Sequence, residues 1–157
     1  MLCDYDPFTG WGGGDYVTNG PNPAPVSGNY SHFKLSKDAA GDWEWSGTTT
    51  IAMIGVTYLP EVLANPEKYV LKFEVNAIRP LTKRQIRFYF SQINYDWEPF
   101  ASGLSFSTGG EWKTLTLDLE EVWKGETPND GVVQILGNSW AEDTDICFDN
   151  FRIVAKD

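Results

Sequence analysis

Histidine, cysteine and methionine are scarce: the 157 residues hold one His, two Cys and two Met. His32 stands alone in Tyr30-Ser31-His32-Phe33, with no His-x-x-x-His or Cys-x-x-Cys spacing, which argues against a zinc centre. There is no Gly-x-Ser-x-Gly motif, so the nucleophile elbow of the α/β-hydrolases is missing. No apolar run approaches the ~20 residues that a membrane-spanning helix needs. Clusters of Lys and Arg are missing too, and the formal charge is −10 with a pI near 4.4. That balance repels phosphate backbones and anionic membrane surfaces, so nucleic acid is an unfavourable partner, as is an anionic polysaccharide such as pectate or alginate. Cys3 and Cys147 lie at opposite ends of the chain. A bridge requires the first and last strands to be neighbours, and two thiols fit the sequence equally well. Met1-Leu2-Cys3 follows no apolar run, so it reads as neither a secretory nor a lipoprotein signal, and the chain is expected to be a mature domain or an excised piece.

What the chain has in quantity is aromatic residues, 15% of the total, placed among short runs that alternate apolar and polar. Such runs, closed by Gly, Pro, Asn and Asp, predict an all-β sandwich of two antiparallel sheets with one or two short helical turns. Tyr69 to Ala77 sets Leu71, Phe73, Val75 and Ala77 against Lys72, Glu74 and Asn76. Gln85 to Ile93 sets Ile86, Phe88 and Phe90 against Arg87, Tyr89 and Ser91, and Trp112 to Leu119 alternates in the same way. Gly131 to Leu136 and Asp145 to Val154 supply two closing strands, while Pro60 to Lys68 and Asp118 to Lys124 read as helical turns. The second of these, with Leu119, Val122 and Trp123, is placed to cover one end of the core. Thr9 to Asn29, rich in Gly, Pro and Asn, reads as an ordered loop carrying Trp11 and Tyr16. With no internal repeat and no break in composition, residues 1–157 are expected to form one domain, a length sufficient to bury about 70 per cent of the unfolded surface.

The tryptophans point to function. Asp42-Trp43-Glu44-Trp45-Ser46-Gly47-Thr48-Thr49-Thr50 is polar apart from its two indoles. If it is extended, both rings share one face about 7 Å apart. Two flat apolar surfaces beside hydroxyls and carboxylates suit the C–H face of a pyranose and its hydroxyls. A core strand would continue apolar on the same parity, whereas Gly47 and Thr49 follow here. Trp11, Trp97 and Trp140 lie in similarly polar or glycine-rich segments and join the candidate ligand-binding set. On outward parities, Glu74, Asn76, Arg87, Tyr89 and Gln134 are the candidate hydrogen-bonding groups, with a solvated face as the alternative, or a Glu74–Arg87 pair that would contribute little at an exposed site. Trp112 and Trp123 are assigned to packing.

The function expected is non-catalytic binding of a neutral polysaccharide. The alternative is a glycoside hydrolase or lyase using two carboxylates about 5 to 9 Å apart. However, Glu120-Glu121 and Glu142-Asp143-Thr144-Asp145 lie on a helical turn and a loop, not at alternate positions of an apolar strand. An adhesive or protein-binding sandwich is a third reading and requires one broad exposed apolar patch. A structural calcium held by Asp4, Asp6 and Asp149 is chemically reasonable because its ligands would be hard oxygens. Capping of turns, or pairing with Arg152, accounts for the same aspartates more simply, so no cofactor is expected.

Several segments in order resemble one family. They are Asp4-Tyr5-Asp6 with Trp11-Gly12, the Gly28-Asn29-Tyr30 turn, the Trp-x-Trp stretch, Gly110-Glu111-Trp112, and Ile146-Cys147-Phe148-Asp149-Asn150-Phe151-Arg152-Ile153. Together they resemble, over almost the whole chain, the C-terminal glycan-binding domain of Bacteroidetes surface glycan-binding proteins. The resemblance implies a jelly-roll carbohydrate-binding module and a β-glucan ligand such as xyloglucan or mixed-linkage glucan. It also implies a position behind spacer domains in an outer-membrane-anchored lipoprotein that serves polysaccharide utilisation at the cell surface; the domain is expected to be a monomer, with secretion as the alternative location. Its aromatic platform would fall on Trp11, Trp43, Trp45 and Trp97.

Overall fold

The computed structural model describes residues 17–18, 28, 30–35, 49–77, 84–96, 108, 110–139 and 144–157. In chain order the described elements are β1 (Val17–Thr18), β2 (Tyr30–Leu35), β3 (Thr49–Val56), α1 (Pro60–Ala64), a 3-10 turn (Pro66–Lys68), β4 (Tyr69–Ala77), β5 (Arg84–Phe90), β6 (Ile93–Asp96), β7 (Lys113–Asp118), α2 (Leu119–Trp123), β8 (Gly131–Ser139) and β9 (Thr144–Ala155). They form a five-stranded sheet in the order β1-β2-β9-β4-β7 and a four-stranded sheet in the order β3-β8-β5-β6. All of the pairings are antiparallel. This is the β-sandwich of jelly-roll type expected from the alternating runs.

The core lies between the sheets because each strand offers it every second residue. From β4 come Leu71, Phe73, Val75 and Ala77; from β5, Phe88 and Phe90; from β8, Val133; and from β9, Ile146, Phe148 and Phe151, all buried. The ring of Phe73 meets that of Phe88 across the two sheets at 5.7 Å, and those of Phe148 and Phe151 within its own sheet at 5.9 and 5.1 Å. Each such side chain contributes about 1.5–3 kcal/mol when fully removed from water.

Phe148 and Phe151 are three residues apart, a spacing that should put them on opposite faces. A β-bulge reconciles the two. Lys72 pairs with Arg152 and Glu74 with Asp149, so β9 uses one more residue than β4 over this step. Asn150 takes the left-handed conformation there, at φ 53. One inserted residue reverses the parity of everything after it. Both phenylalanines therefore reach the core, and Ile153 packs behind them. Asn tolerates positive φ and a β-branched residue does not. Asn150→Gly is accordingly expected to leave the melting temperature nearly unchanged, whereas Asn150→Val should cost on the order of 1–3 kcal/mol in chemical denaturation.

Helix α2 closes one end of the sandwich. Leu119, Val122 and Trp123, on one face at i, i+3 and i+4, are all buried. The Trp123 ring stands edge-on to Tyr58 at 5.3 Å and to Phe90 at 6.4 Å, as expected of a packing residue. Lys124 at φ 55 and Gly125 at φ 77 then end the helix in left-handed conformations.

The run from Gln85 to Ile93 is not the single strand its alternation suggests. The chain reverses at Ser91 and Gln92, so that Phe90 pairs with Ile93 across a hairpin. The turn carries none of the usual Gly, Asn or Pro signals. Ser91 takes positive φ of 54 instead, and its contacts with another loop supply the reason given below.

Candidate functional site

The outward polar residues fall on two different sheets, and the sheets treat them differently. Glu74, on the five-stranded sheet, forms a two-pronged pair with Arg152, with both Nη–Oε distances 3.0 Å. Its Oε1 also accepts from Thr114 Oγ1 at 3.1 Å. Its side chain is only 12% exposed, and both of its oxygens accept hydrogen bonds from within the protein. The expected Glu74–Arg87 pair is thereby corrected: Arg87 belongs to β5 of the opposite sheet, and the cation beside Glu74 is Arg152. Arg152 Nη1 also donates to the Asn150 carbonyl at 2.8 Å, bracing the bulge.

Asn76 is a second correction. It has the parity of an outward residue yet is fully buried. Its Nδ2 donates to the Gly110 carbonyl at 3.0 Å, and its Oδ1 accepts from Thr108 Oγ1 at 3.5 Å. The Thr108 hydroxyl in turn accepts the Ala77 N–H at 3.0 Å. A turn of chain has closed over the end of β4, and Asn76 holds it there, leaving no amide for a ligand.

The register places His32, Cys147 and Asn76 in one row on that outer side. Tyr30, next to Ser31 and on the opposite parity, meets the half-buried Trp112 edge-on at 5.3 Å. Trp112 therefore packs, as expected, though on the outer side of the sheet and not in the core. Burial, and secondarily Cys147, push the Tyr30 hydroxyl up from 10.0 to about 12. Asp149 is buried, and its Oδ1 accepts the following Asn150 N–H at 2.8 Å. This contact lies at the bulge of β9. Asp4 and Asp6, the other members of the suggested calcium set, lie outside the described residues, as does Cys3. Among the described residues no group of three or more His, Cys, Asp or Glu is arranged to hold a metal ion.

The four-stranded sheet gathers the rest. Phe88, Phe90 and Val133 face the core, so Tyr89 and Gln134 face away from it, and they are direct cross-strand partners. On the other side of Tyr89 stands Asn94 of β6, fully paired in register and exposed. Ala52 of β3 is the register partner of Gln134, which completes a line Ala52–Gln134–Tyr89–Asn94 running across all four strands. Arg87 holds the neighbouring register position, between Leu136 and Asp96. The fold thus brings together Arg87, Tyr89 and Gln134 and separates Glu74 and Asn76 from them. Asn94 was missed because the hairpin at Ser91 was missed; with the reversal placed there, period-2 alternation puts Asn94 on the outward face. Trp11, Trp43, Trp45, Trp97 and Trp140 lie outside the described residues.

The turn between β5 and β6, beside this line, is tied down. Ser91 N–H donates to the Val132 carbonyl at 3.0 Å, and Ser91 Oγ donates to the Asn129 carbonyl at 2.8 Å. Gln92 bonds backbone at both ends of its amide: Nε2 donates to the Thr127 carbonyl at 2.6 Å, and Oε1 accepts the Asn129 N–H at 3.1 Å. Asp130 next accepts the Tyr58 N–H at 3.0 Å. These contacts hold Ser91 in its left-handed conformation.

Comparison with known proteins gives the arrangement a context. A crystal structure with a xylogluco-oligosaccharide superposes at a TM-score of 0.63 with 17% identity, covering 99% of this chain and 39% of the other. The family 30 carbohydrate-binding module of the cellulosomal cellulase Cel9D-Cel44B of Clostridium thermocellum gives 0.59 with 12% identity, covering 95% and 92%. The surface glycan-binding protein PbSGBP-B from Prevotella bryantii gives 0.52 with 16% identity, covering 83% and 48%. The chain therefore spans about two fifths of the first of these structures and about half of the third. At such identities the likeness shows the fold. Comparison with curated proteins finds no match. The family model described as the surface glycan-binding protein B xyloglucan binding domain, however, matches residues 1–155. The chain is a non-catalytic glycan-binding domain and belongs to that family.

Proposed function

We propose that the domain captures a neutral plant-type β-glucan, xyloglucan or a mixed-linkage glucan, on the outward face of its four-stranded sheet. The observation that carries this reading is the family match over residues 1–155. The choice of face rests on chemistry. On the five-stranded sheet Glu74, Arg152 and Thr114 bond to one another, and so do Asn76 and Thr108. Tyr89, Gln134 and Asn94 stand side by side across the other sheet. Tyr89 offers an apolar ring with a polar tip, and the two amides offer paired donors and acceptors, the combination that sugar rings and hydroxyls require. Trp11, Trp43, Trp45 and Trp97 are assigned as the stacking platform, and Trp140 and Arg87 belong to the same candidate ligand-binding set. A few aromatic contacts of about 1 kcal/mol each give micromolar to millimolar affinity after association costs.

We further propose that the 157 residues act as one monomeric domain of a longer protein anchored at the cell surface, where spacer domains hold it away from the membrane. Affinity gel electrophoresis against xyloglucan, barley-type glucan, laminarin and galactomannan tests the ligand. Retardation by xyloglucan or barley glucan is the expected result, and no retardation by any of the four would refute the proposal. A reducing-end assay on the same glycans should stay at the level of the protein-free control; turnover sensitive to a carboxylate substitution would overturn binding without cleavage.

A further inference from the structure

The contacts of Ser91 and Gln92 are more than a short hairpin needs, and their position relative to the ligand face is informative. Ser91 lies two residues beyond Tyr89 on β5, Gln92 two residues before Asn94 on β6, and Val132 two residues before Gln134 on β8. The clasp is therefore one step of the pleat, about 7 Å, from the line of candidate sugar contacts on three strands at once. Strand β6 has only four residues and lies at the edge of the sheet, so in that sheet its ladder is to β5 alone. The side chain of Gln92 adds a second attachment, to the backbone of Thr127 and Asn129. Ser91 keeps a non-glycine residue at φ 54, a conformation that persists where surrounding contacts over-determine it and that collects at working sites. Glycine would satisfy the turn without strain, but it has no hydroxyl to reach Asn129.

We propose that Ser91 and Gln92 form a positioning clasp for glycan recognition. They fix the spacing of Tyr89, Gln134 and Asn94 before the sugar arrives, so the ordering cost is met in folding and not in binding. Neither residue needs to touch the ligand. The inference rests on the reading of the four-stranded face as the glycan site.

The test uses the whole chain and xyloglucan in affinity gels, with Tyr89→Ala beside the clasp variants. Gln92→Ala is expected to weaken retardation about fivefold, with the melting temperature within about 3 °C of the parent. Ser91→Gly, which keeps the turn conformation and removes the hydroxyl, should weaken it in the same direction and protects the test against a folding defect. Gln92→Glu supplies a readout that general loosening would not move. Its carboxylate still accepts the Asn129 N–H but cannot donate to the Thr127 carbonyl. Protonation restores a donor, so its affinity relative to the parent at the same pH should recover between pH 7 and about pH 4. If Tyr89→Ala weakens binding while Gln92→Ala and Ser91→Gly bind like the parent, the clasp has no part in recognition and the inference alone is overturned. If the parent binds and Tyr89→Ala is without effect, the face itself is misassigned and the inference falls with it.

Discussion

Phe73→Ala is expected to destabilise the domain by about 3–5 kcal/mol, measured by urea or guanidinium unfolding, and to lower the melting temperature by roughly 10 °C or more. Phe73 is wholly buried in the middle of β4. Its ring is the common neighbour of Phe88 from the facing sheet and of Phe148 and Phe151 from β9. Truncation removes the largest group at the point where the sheets meet, and three rings border the cavity it leaves. The backbone around it cannot readily collapse, because β4 is an interior strand of its sheet, paired on both sides. A loss below about 1 kcal/mol would mean that the sheets do not pack through this residue.

The second large effect is on affinity. Trp43→Ala and Trp45→Ala are each expected to abolish retardation by xyloglucan while leaving the melting temperature almost unmoved. The argument is compositional: the segment from Asp42 to Thr50 offers no apolar residue other than the two indoles, so their truncation should take little from a core. If either variant instead loses several kcal/mol of stability and still binds, platform and core have been exchanged in this segment. Phe73→Ala is the matched comparison, because it should weaken folding without altering the surface that meets the sugar. The two experiments together separate the interior of the sandwich from its face.

The comparison of these two positions also shows where sequence reasoning reaches and where it stops. The limits of strand β4 and its core face were legible, since Leu71, Phe73, Val75 and Ala77 recur at every second position and both ends of Tyr69 to Ala77 agree with the structure, although Val70 and Asn76 are buried against that pattern. Helix α2 was legible for the same reason, at helical spacing. Two local departures from alternation were not. Asn150 inserts one residue into β9 and Ser91 reverses the chain, and both do so in left-handed conformations without glycine. Alternation does not mark such a residue, because the contacts that hold it depend on distant segments: Ser91 is held by Asn129 and Val132, and Asn150 by the nearby Arg152, itself fixed by the distant Glu74.

The same limit governed the candidate site. Parity placed Tyr89 and Gln134 correctly on an outward face, yet it also placed Asn76 there. Asn76 fails because a turn around Thr108 and Gly110 covers it, and period-2 alternation carries no information about what lies above a sheet. Glu74 was matched with the wrong arginine because parity does not say which sheet a strand joins. The family resemblance, carried by motifs in order, was confirmed by the match over residues 1–155, whereas the tryptophans assigned to the platform lie outside the described residues.

The outermost strands have a consequence for a protein whose family works at the cell surface. Among the described strands, β1 and β6 border their sheets with two and four residues. On the opposite margin β7 alternates in Thr114 and Thr116 and carries Lys113 at its entry. A border that short, or that polar, gives a neighbouring copy few unsatisfied amides to zip onto. Three of the four borders among the described strands thus resist fusion between crowded copies, and β3 (Thr49–Val56), eight residues long, is the border that remains.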